Sequence, residues 1–116
     1  MCKVSYAAII FADIPFNADN PHQHYGGHFY VIVANPRACM YSPVVQAIPM
    51  SSNCNRRLPV QIRVEADCFS RESYVLTEQL TLLPKDVLER GKYCGQLGEE
   101  SMSRLRKAIK MQLALD

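Results

Sequence analysis

The sequence predicts a mainly β domain that ends in one helix. Several short segments rich in β-branched and aromatic residues come first, and Pro, Gly, Asn or Ser residues bound them, which is typical of strands. One amphipathic segment, residues 99–115, comes last. Five or more short strands with one packed helix predict a small, strongly bent sheet or barrel. The 116 residues are enough for one domain and one core.

Three strands are expected in the first half of the chain. Residues 4–14 form an apolar run, residues 28–34 combine aromatic and β-branched side chains, and residues 43–50 resume as a strand after an Asn-Pro break. The segment 15–27 is rich in Asn, Pro, His and Gly. It is too polar to pack and long enough to suggest a functional loop.

The second half predicts shorter elements. After a polar loop at residues 51–57, residues 59–65 alternate apolar and polar side chains, which indicates a half-exposed strand. Residues 73–83 are typical of a buried strand. Residues 84–89 predict one helical turn, because proline suits the first helical position. Residues 93–97 predict a last short strand.

The C-terminal helix is expected to cover one face of the sheet. Met102, Leu105, Ile109 and Leu113 recur at three- and four-residue spacing and form one apolar face. Glutamates occupy its first turn and basic residues follow, an order that complements the helix dipole.

Composition narrows the class of protein. The net charge of +2, from 13 basic and 11 acidic residues, neither requires nor excludes a nucleic-acid partner. The N-terminal residues lack the pattern of a signal peptide, and no apolar run approaches the ~20 residues that span a bilayer, so we expect a cytoplasmic protein without membrane contact. An odd number of scattered cysteines indicates reduced thiols rather than disulfides. The cysteines are Cys2, Cys39, Cys54, Cys68 and Cys94.

Two polar residues stand inside the predicted strand 73–83. An ionised carboxylate there costs several kcal/mol unless it is paired or faces a cleft. We favour a functional role for Glu78; the alternative is a structural partner such as Arg63 or Arg56 across the sheet. Gln79 is more readily explained as a hydrogen-bonding residue that anchors loop backbone.

Several short motifs follow one another from about residue 11 to the C-terminus. They are Phe11-Ala12-Asp13-Ile14, Tyr41-Ser42-Pro43, Ala47-Ile48-Pro49-Met50-Ser51-Ser52, Leu58-Pro59, Val75-Leu76-Thr77-Glu78-Gln79 and Gly95-Gln96-Leu97 before the helix. In this order and spacing the chain resembles the MazF/PemK toxins of bacterial toxin–antitoxin pairs.

The resemblance implies an SH3-like barrel of the MazF/CcdB type with a C-terminal helix, assembled as a homodimer. It also implies cleavage of single-stranded RNA without a metal ion or other cofactor. In that family the 2′-hydroxyl attacks the neighbouring phosphate, leaving a cyclic phosphate and a free 5′-hydroxyl. A cognate antitoxin protein, whose unstructured segment fills the same groove, is the implied protein partner.

This chemistry needs a proton acceptor, a proton donor and groups that stabilise charge on the phosphate. The family usually supplies a Gly-x-Arg-Pro arginine, a Thr or Ser ending the third strand, and an acid preceding a Gln. Ser51 matches the hydroxyl and Glu78 the acid. Gly26-Gly27-His28-Phe29 stands in place of the arginine motif, so the resemblance predicts His28, Ser51 and Glu78 as the catalytic residues.

Other positions depart from the family pattern. Thr81 stands where a basic residue follows Gln79, and Ala7-Ala8 replaces a Gly-Asp pair. An imidazole at His28 can move protons and, when protonated, stabilise phosphate charge. The alternative is a histidine bonded to a nearby carbonyl in a variant that has lost catalysis. The chain would then be a non-catalytic protein on this fold that binds an antitoxin-like peptide or a gyrase-type target.

Residues beside the expected groove are candidates for RNA contact. Arg56 and Arg57 are candidates for phosphate binding, and Tyr25 for base stacking. Tyr30 is more readily placed in the core, given its apolar neighbours. The predicted RNA-binding residues are His22, Gln23, His24, Tyr25, Ser52, Asn53, Arg56, Arg57 and Gln79.

Three histidines raise a metal hypothesis. An extended His22-x-His24 segment would place two rings on one side, and a turn at Tyr25 to Gly27 would bring His28 toward them. We favour a polar loop that carries all three, because no cysteine or acid is suitably spaced nearby. The sequence therefore predicts no metal site.

Overall fold

The computed structural model describes residues 4–14, 26–52, 58–64 and 73–115. Over these residues the chain forms seven strands, three α-helices and one 3₁₀ turn. The elements in order are β1 (Ala8–Ile14), β2 (Gly26–Ile32), α1 (Pro36–Tyr41), β3 (Val44–Ser51), β4 (Gln61–Val64), β5 (Ser73–Leu76), the 3₁₀ turn (Thr77–Gln79), β6 (Thr81–Pro84), α2 (Lys85–Glu89), β7 (Lys92–Gln96) and α3 (Glu99–Gln112).

The strands form one bent antiparallel sheet. Their order is β4-β5-β3-β2-β1-β7, and β6 also pairs with β3. This confirms the prediction of a mainly β domain with a C-terminal helix. Strands β4 and β7 end the order, so the sheet is open over the described residues and the expected barrel is only an approximate description.

The sheet bends at the end of β3. Ala47 pairs with Thr81, and Met50 pairs with Val75, so two residues of β3 face five residues of the opposing segment. The 3₁₀ turn Thr77–Gln79 takes up the excess length. The prediction of one continuous strand over residues 73–83 is therefore wrong. The segment forms two strands, because β5 pairs with the end of β3 and β6 pairs with its start.

Each face of the sheet carries one apolar cluster, because alternate strand residues point to opposite faces. The first face lies under α1 and α2, and the second under α3. The first cluster includes Ile10, Ala12, Tyr30, Ile32, Val45, Ala47, Cys39, Leu83 and Leu88. The second includes Ile9, Val31, Ile48, Met50, Ile62, Val75, Met102, Leu105 and Ala108.

Helix α3 packs as predicted except at its end. Met102, Leu105 and Ala108 are buried, and Ile109 is half-buried against the same cluster. Leu113 is 50% exposed, because the helix ends one residue before it and the apolar face does not continue. No helix among residues 4–14, 26–52, 58–64 and 73–115 combines the length and apolarity needed to cross a membrane.

Helix α1 was not predicted, although the sequence carries its start signal. The side chain of Asn35 accepts a hydrogen bond from the Ala38 N–H at 2.9 Å, and Pro36 occupies the first turn. An asparagine cap followed by proline is typical of a helix start rather than only a strand break. The helix carries Cys39 into the first cluster.

The other predicted elements are present with shifted ends. Strand β1 begins at Ala8, four residues later than the apolar run that predicted it. Strand β4 begins at Gln61, because residues 58–61 form a turn closed by the Gln61 N–H bond to the Leu58 carbonyl. Helix α2 begins after Pro84, because Pro84 is still the last residue of β6 and pairs with Val44 of β3.

Candidate functional site

The first face of the sheet changes from apolar to polar toward the end of β3. Val45 and Ala47 lie in the first cluster, and by strand alternation Ser51 points to the same face. Ser51 pairs with Tyr74 of β5, so these two side chains lie side by side. We call this region the polar end of the first face and define it by His28, Ser51, Gln61, Tyr74 and Glu78.

His28 joins the polar end through the register of β2. It pairs with Ala12 of β1 and shares a face with Tyr30. Tyr30 pairs with Pro49 of β3, and His28 and Ser51 each lie two residues beyond this pair, on the same face by strand alternation. Both side chains are half-buried. Two of the three predicted catalytic residues therefore face the same side of the sheet on neighbouring strands.

Tyr30 forms the apolar border of the polar end. Its ring meets the His28 imidazole edge to face, with centroids 6.3 Å apart. The residue is fully buried, which confirms its expected place in the core. Desolvation by burial raises the pKa of Tyr30 to about 12, so its hydroxyl is neutral at physiological pH.

Glu78 lies in the 3₁₀ turn and not inside a strand, which corrects the position expected from the sequence. Its Oε2 accepts a hydrogen bond from Gln61 Nε2 at 2.7 Å. Its Oε1 is buried without a hydrogen-bond partner among the described residues. The sequence suggested Arg63 or Arg56 as a structural partner, but the described bond goes to Gln61. Arg56 lies outside the described residues.

Gln61 reaches Glu78 because of the bend in the sheet. Gln61 pairs with Leu76, the last residue of β5, and the 3₁₀ turn then carries Glu78 back over the start of β4. Sequence reasoning missed Gln61. Its place in an alternating segment marked it only as a polar position of a half-exposed strand. Nothing local in the sequence indicates a contact with a residue 17 positions away.

The structure describes two of the predicted RNA-binding residues. Ser52 is exposed directly after β3. Gln79 is half-buried in the 3₁₀ turn, and its Oε1 is buried without a partner among the described residues, so the expected anchoring of loop backbone is not seen at that oxygen. The others lie outside the described residues: His22, Gln23, His24, Tyr25, Asn53, Arg56 and Arg57.

The structure also bears on metal binding and on thiols. In the part of the chain that it describes, no three His, Cys, Asp or Glu side chains are grouped to hold a metal ion. His22 and His24 lie outside that part, so the three-histidine hypothesis remains untested. Cys39 and Cys94 are free thiols.

Residues 7–113 match the family of PemK-like, MazF-like toxins of type II toxin–antitoxin systems. The match covers all seven strands and α3. None of the curated proteins compared with the chain matches it significantly.

Solved structures share the fold over nearly the whole chain. A mycobacterial endoribonuclease in complex with its cognate antitoxin is 20% identical, with a TM-score of 0.77 over 97% of this chain and 96% of that one. MazF from Deinococcus radiodurans is 15% identical, with a TM-score of 0.78 and 96% of each chain covered. The Mycobacterium tuberculosis toxin MazF-mt6 is 20% identical, with a TM-score of 0.76 over 94% of this chain and 98% of that one.

Proposed function

The chain belongs to the PemK-like, MazF-like toxin family of type II toxin–antitoxin systems, and we propose that it is a toxin that cleaves single-stranded RNA without a metal ion. The observation that supports the chemistry is that strand alternation directs His28 and Ser51 to the same face of neighbouring strands, while Glu78 lies in the 3₁₀ turn that follows β5. The endoribonuclease described among the structures of the same fold gives further support.

The proposed reaction is a transesterification within the RNA. The 2′-hydroxyl oxygen attacks the adjacent phosphorus and loses its proton, and the bond from phosphorus to the 5′-oxygen breaks. The departing oxygen gains a proton. The products are a 2′,3′-cyclic phosphate and a free 5′-hydroxyl. No water, metal ion or redox partner enters this step.

Each residue of the polar end has a proposed task. Ser51 and His28 hold the phosphate and move protons; the imidazole is suited to this because its ring nitrogens can donate or accept a proton. Glu78 accepts the 2′-proton or positions the group that accepts it. Ser52 and Gln79 flank these residues and are proposed to contact the RNA. His22, Gln23, His24, Tyr25, Asn53, Arg56 and Arg57 are proposed for the same role.

The proposed partners come from the family. We propose that the protein works in the cytoplasm as a homodimer and that a cognate antitoxin covers the polar end. The complex of the mycobacterial endoribonuclease with its antitoxin supports an antitoxin partner.

The test is direct. Purified protein is incubated with a long single-stranded RNA and a chelator, and the fragments are analysed for their end groups. We expect discrete fragments with 5′-hydroxyl ends. RNA that stays intact at high protein concentration would refute the nuclease.

A second function, a non-catalytic binding protein on the same fold, is favoured by one observation. Gly26-Gly27-His28-Phe29 has a histidine where the family usually has arginine, and arginine binds phosphate through a fixed fork of donors that imidazole lacks. If the parent protein is silent and His28→Arg gains RNA cleavage, this second function is supported. An active parent that loses cleavage on His28→Ala excludes it.

A further inference from the structure

Gln61 is hydrogen-bonded to its own turn through both its backbone and its side chain. Its backbone N–H donates to the Leu58 carbonyl at 2.9 Å, and the Leu58 N–H donates back to Gln61 Oε1 at 2.9 Å. Pro59 follows Leu58 at the position that proline favours in such turns. The side chain is therefore tied to the backbone of the turn before it reaches any other residue.

The turn also fixes which end of the amide faces Glu78. A backbone N–H can only donate, so the oxygen of the Gln61 amide must face Leu58. The NH₂ group must then face Glu78, and the 2.7 Å contact from Nε2 to Glu78 Oε2 is the result. The hydrogen bond from the Leu58 N–H to Gln61 Oε1 therefore determines that the amide presents its NH₂ group to the Glu78 carboxylate.

We propose that Gln61 is a positioning residue that holds Glu78 in one orientation for RNA cleavage. The inference rests on the proposed nuclease function. With Oε2 held by Gln61, Oε1 is the carboxylate oxygen without a partner among the described residues. Because Oε1 is buried, we assign it to hold the group that accepts the 2′-proton rather than to contact the RNA directly. Gln61 itself touches no reacting atom in this scheme.

Two substitutions separate this role from a merely structural one. Gln61→Glu keeps an oxygen acceptor for the Leu58 N–H but replaces the donor to Glu78 by a second carboxylate oxygen. Gln61→Met keeps the length of the side chain and removes both side-chain hydrogen bonds, the one to Leu58 and the one to Glu78. The matched control is Gln46→Met, because Gln46 is an exposed strand glutamine on β3 outside the polar end.

Steady-state cleavage of a single-stranded RNA by the full chain gives the readout. We expect both Gln61 variants to lower kcat by about ten- to hundredfold with KM for RNA unchanged, because small misplacements of a catalytic group cost rates of this order. Gln46→Met should cleave like the parent. In a Glu78→Ala background, Gln61→Met should cause no further loss, since its effect passes through Glu78.

The outcomes are distinct. If Gln61→Glu cleaves like the parent while Gln61→Met is impaired, Gln61 only ties the turn and the inference is wrong. Equal additional losses with and without Glu78 also overturn it. A parent protein that does not cleave RNA refutes the nuclease function, and this role with it, whereas an active parent with fully active Gln61 variants refutes the positioning role alone.

Discussion

His28 and Tyr30 meet edge to face, with ring centroids 6.3 Å apart, where the polar end of the first face borders the apolar core. Tyr30 has no exposed surface, and its hydroxyl has no hydrogen-bond partner among the described residues. The buried ring therefore borders one side of the imidazole. Strand β2 thus passes within two residues from the core to a candidate catalytic side chain.

The buried hydroxyl of Tyr30 predicts a loss of stability at alkaline pH. Its pKa is raised from 10.0 to about 12 in the folded chain, so the unfolded chain releases the proton first. The contribution is complete below pH 10 and is lost as the pH rises toward 12. By linkage the loss totals roughly 3 kcal/mol of unfolding free energy. Urea denaturation at a series of pH values from about 9 to about 12 measures it.

The matched variant is Tyr30→Phe, which removes the ionising group and keeps the ring. We expect it to be at least as stable as the parent at neutral pH, because an unpaired buried hydroxyl contributes no hydrogen bond. Above pH 10 it should lose less stability than the parent. Other groups titrate in both proteins, so the difference isolates Tyr30. Identical slopes would show that this hydroxyl keeps no raised pKa.

Ser51→Ala is predicted to remove most RNA cleavage without unfolding the protein. The side chain is half-buried at the end of β3, so the loss of one hydroxyl leaves the core intact. A group that moves a proton or holds the phosphate typically contributes about a hundredfold or more in rate. Ser51→Thr keeps the hydroxyl and should retain activity. Ser103→Ala, a half-buried serine on α3, is the control and should cleave normally. Full activity of Ser51→Ala would remove Ser51 from the site.

Much of the fold could be predicted from local pattern. Alternation and β-branched runs predict β1 to β4, and the spacing of Met102 and Leu105 predicts the buried face of α3. The break after β5 could not be predicted this way. Residues 73–83 have strand composition throughout, and the 3₁₀ turn arises because two stretches of this segment pair with different parts of β3. That cause lies in the register of a distant strand.

For the candidate site too, some residues could be predicted from sequence motifs and others only from the pairing of distant strands. Ser51 and Glu78 were identified from motifs that resemble the family, and the family itself is confirmed. That His28 and Ser51 share a face follows from the pairing of Tyr30 with Pro49, which the sequence does not state. Gln61 could not have been found, because its bond to Glu78 exists only where the chain turns between β5 and β6.

The cap of α1 predicts a measurable effect on stability. Asn35 accepts the Ala38 N–H at 2.9 Å, and the helix it starts carries Cys39 into the core. Asn35→Ala leaves that N–H without its partner and should lower the free energy of unfolding by about 1 kcal/mol. Asn35→Ser, which keeps a capping oxygen, should stay close to the parent. Chemical denaturation compares the three proteins. Equal midpoints for Ala and Ser would mean that the cap contributes nothing.

Gly91 and Gly98 give opposite predictions. A Cβ at Gly91 would lie 2.5 Å from the Phe11 carbonyl oxygen and 2.9 Å from Ile10 Cγ2, so backbone would have to move. Gly91→Ala should therefore destabilise the protein by about 2 kcal/mol, as overpacking does.

Gly98 is the N-cap of α3, with extended backbone at φ −70° and ψ 165°, and a Cβ there would meet no atom within 4 Å. Gly98→Ser adds a capping oxygen and restricts the unfolded chain, so it should raise the free energy of unfolding by about 0.5–1 kcal/mol. Urea midpoints of the two variants should move in opposite directions from the parent. A Gly91→Ala protein as stable as the parent would show that β1 can shift away from the end of α2 without loss of packing.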